Sequence, residues 1–231
     1  MSLTIHDLHP WDLLPADAIR LQNELAAQIV TGQPLPLDAI RLVGGVDVSV
    51  KDGISRAAVV ILRYPQLDVI EAATAERPTT FPYIPGLLSF REGAVILDAM
   101  RRLATAPDVF IFDGQGIAHP RRIGIASHIG LFLEVPTVGC AKSRLSGAHT
   151  VPPAAKGSWQ PLVDRGETIG AVLRTRANVK PVYVSVGHRT TLDTARELVL
   201  RCTTRYRLPE PTRAAHNTAG IAPGSPQLPL L

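Results

Sequence analysis

Residues 15–31 place Ile19, Gln22, Leu25, Ala26, Ile29 and Val30 at helical spacing, the pattern of an amphipathic helix. The proline-rich stretch 34–36 ends it. Three strand-sized apolar runs follow, Leu42–Val48, Ala57–Leu62 and Val69–Ala73, separated by the turn residues Asp52-Gly53 and by Pro65, which predicts an antiparallel meander. A helix is expected from about Leu87 to Leu103. Val109–Phe112 is apolar at every position, as a strand buried on both faces requires. A second helix over roughly Gly124–Leu133 leads to a strand at Thr137–Ala141. Residues 144–168, rich in Gly, Pro and polar side chains, are expected to form a long irregular loop. Strands at Ile169–Arg174 and Val182–Val186, a helix over Leu192–Cys202 and a short helical stretch at Thr212–Thr218 complete the pattern. The sum is an α/β chain with a central mixed sheet flanked by helices, a single domain over 1–219. The tail 220–231, with three prolines and two glycines, is expected to be mobile.

Three acids interrupt this pattern. Asp47 sits inside Val46-Asp47-Val48 at the end of the first apolar run. Asp113 terminates Val109–Phe112 and precedes Gly114 and Gly116. Glu92 shares a helical face with Val95, Ile96, Ala99 and Leu103. Each is a carboxylate where an apolar side chain is expected. Burying such groups is costly without compensation, and a hard divalent cation is the usual partner of converging carboxylates. Asp on a strand, Glu on a helix and Asp on the next strand is also the order of ribonuclease H-like nucleases, where metals clamp the attacking and leaving oxygens. Other readings of each acid remain open here. Ser89-x-x-Glu92 is also a capping box, Asp113 could open a turn, and Asp47 could bond neighbouring backbone.

Longer motifs narrow the choice. Gly45-Val46-Asp47-Val48-Ser49, the block from Tyr83-Ile84-Pro85-Gly86 to Phe90-Arg91-Glu92, and Asp113-Gly114-Gln115-Gly116 resemble successive motifs of the endonuclease V family. So do His119-Pro120-Arg121, Gly139-Cys140-Ala141-Lys142-Ser143, Ser185-Val186-Gly187-His188-Arg189 and Pro209-Glu210-Pro211-Thr212-Arg213. The resemblance covers roughly residues 40–217. It implies a ribonuclease H-like fold and hydrolysis of the second phosphodiester bond 3′ to deoxyinosine, leaving 3′-hydroxyl and 5′-phosphate ends. It implies Mg²⁺, for which Mn²⁺ could substitute, held by Asp47, Glu92 and Asp113 with His216 as a further ligand. Lys142 falls on the family's catalytic lysine.

The resemblance also makes the loop Tyr83-Ile84-Pro85 a wedge that replaces lost base stacking. It sets Leu88, Gly114, Gly116, Gly139 and Leu145 around the pocket for the flipped base. His119, Arg121, Arg122 and His128 are expected near the DNA track. Val50 stands where many relatives carry an aromatic, and Val186 where a proline is frequent, departures that bear on packing or substrate fit. Two alternatives stay open, an inosine-directed endoribonuclease on the same fold and a non-catalytic nucleic-acid-binding relative.

Composition adds little. A net charge of +4, a pI near 9.4 and twenty arginines among 24 basic residues suit a phosphate-bearing partner. No apolar run approaches the roughly 20 residues of a membrane helix. The early Asp7 and Asp12 argue against a signal peptide. Cys140 and Cys202, both in apolar segments, are expected to be reduced and buried, which fits a cytoplasmic protein. No obligate protein partner is implied.

Overall fold

The computed structural model describes residues 3–220, so the expectation for the tail falls mostly on residues outside those described. Helix α1 spans Pro15–Ala26. Strands β1 (Leu42–Lys51), β2 (Ile54–Arg63) and β3 (Val69–Pro78) form the meander, and α2 (Leu88–Met100) leads to β4 (Val109–Phe112). Then come α3 (Ile125–Phe132), β5 (Thr137–Ala141), β6 (Trp159–Asp164), β7 (Glu167–Leu173), β8 (Val182–His188), α4 (Leu192–Arg201) and α5 (Glu210–Ala219). The eight strands make one sheet in the order β3-β2-β1-β4-β5-β8-β7-β6. Its centre, β1-β4-β5, is parallel, and the flanking pairs are antiparallel.

The alternation along β4 explains the layering. Phe110 and Phe112 pack with Val46, Val59, Val95, Ile96, Ile129 and Phe132 on the α2–α3 face. Val109 and Ile111 pack with Val43, Val138, Leu198, Val199 and Ala215 on the α4–α5 face. Truncating a side chain such as Phe112 in so filled a layer costs about 3–5 kcal/mol.

Two expectations need correction. The loop expected over 144–168 contains β6, which pairs with β7 through a turn at Arg165 and Gly166, both at positive φ. Its pattern was hard to see because β6 is an edge strand with a central proline, Pro161, and little apolar alternation. The first helix stops at Ala26 rather than continuing to residue 31. Beyond it the chain turns to pair with the end of β8, with Val30 N–H donating to His188 Nδ1 and Arg189 N–H donating to Val30 O.

Two features of the backbone position the functional edge. A Cβ on Gly45 of β1 would lie 1.9 Å from the Pro211 carbonyl oxygen, so only glycine lets α5 lie this close to β1. Asp113 N–H donates to Val46 O at 3.1 Å. The chain leaving β4 is thereby tied beside β1 one residue before Asp47.

Candidate active site

The parallel strands β1, β4 and β5 bring Asp47, Asp113 and Lys142 to one edge of the sheet. β4 ends opposite Val46, so Asp47 faces the gap that opens where its neighbour stops. Both aspartate side chains are nearly buried, at 11% and 10% exposure. His216 Nδ1, delivered by α5, lies 2.7 Å from Asp47 Oδ2, and Lys142 Nζ forms an ion pair with Asp113 Oδ2.

Glu92 reaches the same place from α2. Burial, then the charge of Asp47 and the smaller one of Asp113, pushes its carboxyl up to about 8, against an opposing effect of Arg91. Asp47 is raised for the same reasons, burial first and Asp113 next, with His216 and Lys142 pulling the other way. Burial and the charge of their neighbours thus disfavour the ionised forms of Glu92 and Asp47. Among the described residues no three His, Cys, Asp or Glu side chains close into a ready metal cage. The donor set nonetheless fits a hard divalent cation, because converging oxygen ligands with unfavourable ionisation are what such a cation relieves.

Beside the acids lies a cavity of about 270 Å³. Its walls include Tyr83, Ile84, Pro85, Leu88, Gly114, His119 and Leu145, together with Asp113 and Lys142. Tyr83 is 70% exposed, while Ile84 turns inward against Phe81, Leu87 and Phe90. The loop therefore presents an aromatic ring from an anchored base.

The endonuclease V family model matches residues 23–217. The chain belongs to the endonuclease V family. An endonuclease V of Trichormus variabilis is 55% identical over 94% of this chain and 99% of its own length. The crystal structure of endonuclease V from Streptomyces avermitilis is 40% identical with a TM-score of 0.87, covering 94% of this chain and 96% of that one. That of Ciona intestinalis endonuclease V, in complex with a 24mer DNA containing an inosine followed by a ribo-adenosine, is 27% identical with a TM-score of 0.76. It covers 88% of this chain and 95% of its own. The fold is the ribonuclease H-like α/β fold of the endonuclease V structures, and the chain is by family a nuclease.

Within this endonuclease V fold the capping-box reading of Glu92 fails. Leu87 is the N-cap of α2, and Ser89 Oγ lies 2.7 Å from His128 Nδ1 instead. Gly116 and Gly139 are not at the cavity wall. A Cβ on Gly116 would meet Val186 O at 2.0 Å, and one on Gly139 would meet Gly116 N at 2.3 Å. Their missing side chains serve the close crossing of β5 and β8 with the loop after β4, so they shape the cavity from behind. The two departures lie apart from it. Val186 is buried in β8, where its carbonyl accepts from Ile117 N–H, and Val50 is exposed near the end of β1.

The group expected along the DNA track disperses. Arg122 donates to Asp164 and Glu167 of the β6–β7 hairpin. His128 is fully buried, 2.8 Å from His9 and hydrogen-bonded to Ser89. Arg121 turns inward to Gln22 Oε1 at 2.6 Å and Gly86 O at 2.8 Å. His119 accepts from Arg121 N–H at Nδ1, so Nε2 carries the proton and donates to Gly86 O at 3.0 Å. Burial, with Arg121 beside it, lowers its pKa to about 4 and keeps the ring neutral.

Sequence reasoning missed Gln22. Its amide donates to Gly86 O at 3.0 Å, making three donors on one carbonyl at the root of the Tyr83–Pro85 loop. The available signal was a glutamine on the apolar stripe of α1, where it is 1% exposed.

Proposed function

We propose that this protein is a Mg²⁺-dependent deoxyribonuclease that recognises deaminated bases, deoxyinosine foremost, and hydrolyses the second phosphodiester bond on their 3′ side. The observation that carries this is the convergence of Asp47, Glu92, Asp113 and Lys142 beside a cavity roofed by the Tyr83–Pro85 loop. The Ciona relative bound to inosine-containing DNA supports the choice of lesion.

Asp47, Glu92, Asp113 and His216 would hold the metal; bound Mg²⁺ supplies a Lewis acid that lowers the pKa of water and offsets charge developing on the phosphate. The residues of the chain do the remainder. Asp47 and Asp113 fix their carboxylates at the sheet edge, and His216 and Lys142 hold those carboxylates in place until substrate arrives. Lys142 Nζ, once shared with a phosphate oxygen, stabilises the added negative charge from a fixed position. Tyr83 occupies the space a flipped base leaves in the stack, and the cavity behind Leu88, Gly114 and Leu145 receives that base away from water.

The test is a nicking assay on an oligonucleotide with a single deoxyinosine, in Mg²⁺ and in EDTA, with the cut mapped at both new ends. Cleavage that survives EDTA, or that ignores the lesion, overturns the reading. An RNA strand with inosine at the same position, run in competition, reports how far the 2′-hydroxyl is tolerated.

A further inference from the structure

Strand β5 ends at Ala141, and the loop that follows carries Lys142, paired with Asp113, and Leu145, in the wall of the base cavity. Residues 142–145 are all exposed, and 142–147 belong to no helix or strand. Apart from the ion pair of Lys142, one hydrogen bond reaches this stretch among the described residues. Gln115 Nε2 donates to Ser143 O at 2.9 Å. The ion pair is no independent tie, because the Asp113 carboxylate is also assigned to the metal. A lysine on such a loop is poorly placed unless its backbone is held, since its long stem already has several free rotations.

Gln115 itself stands on a rigid base. Only 8% of it is exposed. Its carbonyl accepts from Ala126 N–H at the start of α3, at 3.0 Å, and the next residue, Gly116, donates to Ser185 Oγ of β8 at 2.9 Å. A Cβ on Gly139 of β5 would lie 2.7 Å from the Gln115 carbonyl carbon, so the end of β5 passes close to this post. Gln115 Oε1 has no hydrogen-bond partner among the described residues. A buried amide with an orphaned oxygen weakens a fold, and packing alone would be served as well by a hydrocarbon of the same shape. What the amide adds is the bond to Ser143.

Resting on the functional reading above, in which Lys142 stabilises charge on the phosphate, we infer that Gln115 is a positioning residue for Lys142. By gripping the carbonyl of Ser143 it fixes the loop from which the ammonium reaches the reaction. The anchor acts on the chemical step, because a group displaced by about 1 Å can lose on the order of 100-fold in rate. Gln115 also lines the base cavity, so contact with the flipped base is the competing account. The two accounts part when Lys142 is absent. A positioning residue then has nothing left to position, whereas a base contact keeps its whole effect.

The experiment is a double-mutant cycle of Gln115→Met, which keeps the volume and removes the donor, with Lys142→Ala. Single-turnover cleavage of a deoxyinosine strand in Mg²⁺ is followed at saturating protein, so that binding does not enter. Gln115→Met alone is expected to slow cleavage by about tenfold or more. In the Lys142→Ala background it should slow the remaining rate by less than about twofold. Trypsin reads the anchor without reference to activity, since Lys142 and Arg144 are both cleavage points in the loop. It should cut there about fivefold faster in Gln115→Met, the share of one lost hydrogen bond in local opening. An unchanged melting temperature shows that the variant is folded. Equal slowing with and without Lys142, an unaltered tryptic rate, or cleavage of deoxyinosine strands unaffected by Gln115→Met overturns the proposal. Lys142→Ala cleaving like wild type overturns it as well. Failure of the wild-type protein to nick at deoxyinosine, with the loop loosened in Gln115→Met, removes the functional reading and leaves the anchor standing.

Discussion

At the scale of single residues, the acids and their holders separate chemistry from binding. Asp113→Ala removes a nearly buried carboxylate at the wall of the base cavity that pairs with Lys142 and faces the proposed metal. Cleavage of a deoxyinosine strand is expected to fall by on the order of 10³-fold or more, the equivalent of several kcal/mol of transition-state stabilisation. Affinity for the uncut strand should stay within about threefold, because the other side chains that line the base cavity are kept. Parallel loss of both, in single-turnover cleavage and equilibrium binding, contradicts a purely catalytic role. Gln22 is expected to behave in the opposite way. Gln22→Leu leaves the acids alone but strips Gly86 O of one donor and leaves Arg121 Nε without its acceptor. Urea unfolding should show a loss of about 1–3 kcal/mol, the cost of unsatisfied buried polar groups. The ratio of cleavage at deoxyinosine to cleavage at an undamaged site should fall further than the rate itself. A variant equally stable and equally selective would show that the root of the wedge loop needs no bracing.

At the scale of elements, the central strands and the acids at their ends were legible in the chain because burial on both faces leaves an unmistakable apolar run, and β4 and β5 end where expected. Asp47, Asp113 and Glu92 stood out as charges in otherwise apolar company. The β6–β7 hairpin was not legible, since an edge strand with Pro161 at its centre shows neither alternation nor an apolar run. The inward turns of Arg121 and Arg122 were equally hidden, because an arginine's partners, here Gln22 and Asp164, are distant in sequence. Nor could a helix-to-strand distance be read, although Gly45 encodes it. Gly45→Ala would place a methyl within 1.9 Å of the Pro211 carbonyl, so α5 must move off β1. Overpacking of this kind costs about 1–3 kcal/mol, and it also carries His216 away from Asp47. Calorimetry should show the lost stability, and Mn²⁺ titration of the folded variant should show weaker binding than wild type. Retained metal affinity at a lowered melting temperature would separate α5 packing from the metal site.

At the scale of the whole molecule, the layers that build the cavity also bury histidines in their neutral form, and this ties stability to pH. Burial holds His119 and His188 at about 4 and His128 at about 3, and His9 is lowered in the same sense. In the unfolded chain each returns to its ordinary value near 6.5. Between about pH 6.5 and pH 4 the unfolded state therefore binds protons that the folded state refuses, and stability falls as the pH falls. Glu92 and Asp47 act in the contrary direction in the metal-free protein. Their raised carboxyls keep protons that the unfolded chain releases, so for Glu92 stability falls as pH rises from its ordinary 4.5 to about 8. The histidines outnumber the acids below pH 6.5 and the acids act alone above it, which places the optimum near pH 6.5 in EDTA. Each net proton changes stability by about 1.4 kcal/mol per pH unit. Denaturant unfolding in EDTA from pH 8 to pH 4.5 should trace a shallow slope on the alkaline side and a steeper one on the acid side. His128→Gln, which puts an uncharged amide between Ser89 and His9, should flatten the acid limb by about one proton's worth. An acid limb of unaltered steepness in that variant would mean that the buried chain from Ser89 through His128 to His9 does not govern the acid stability of the fold.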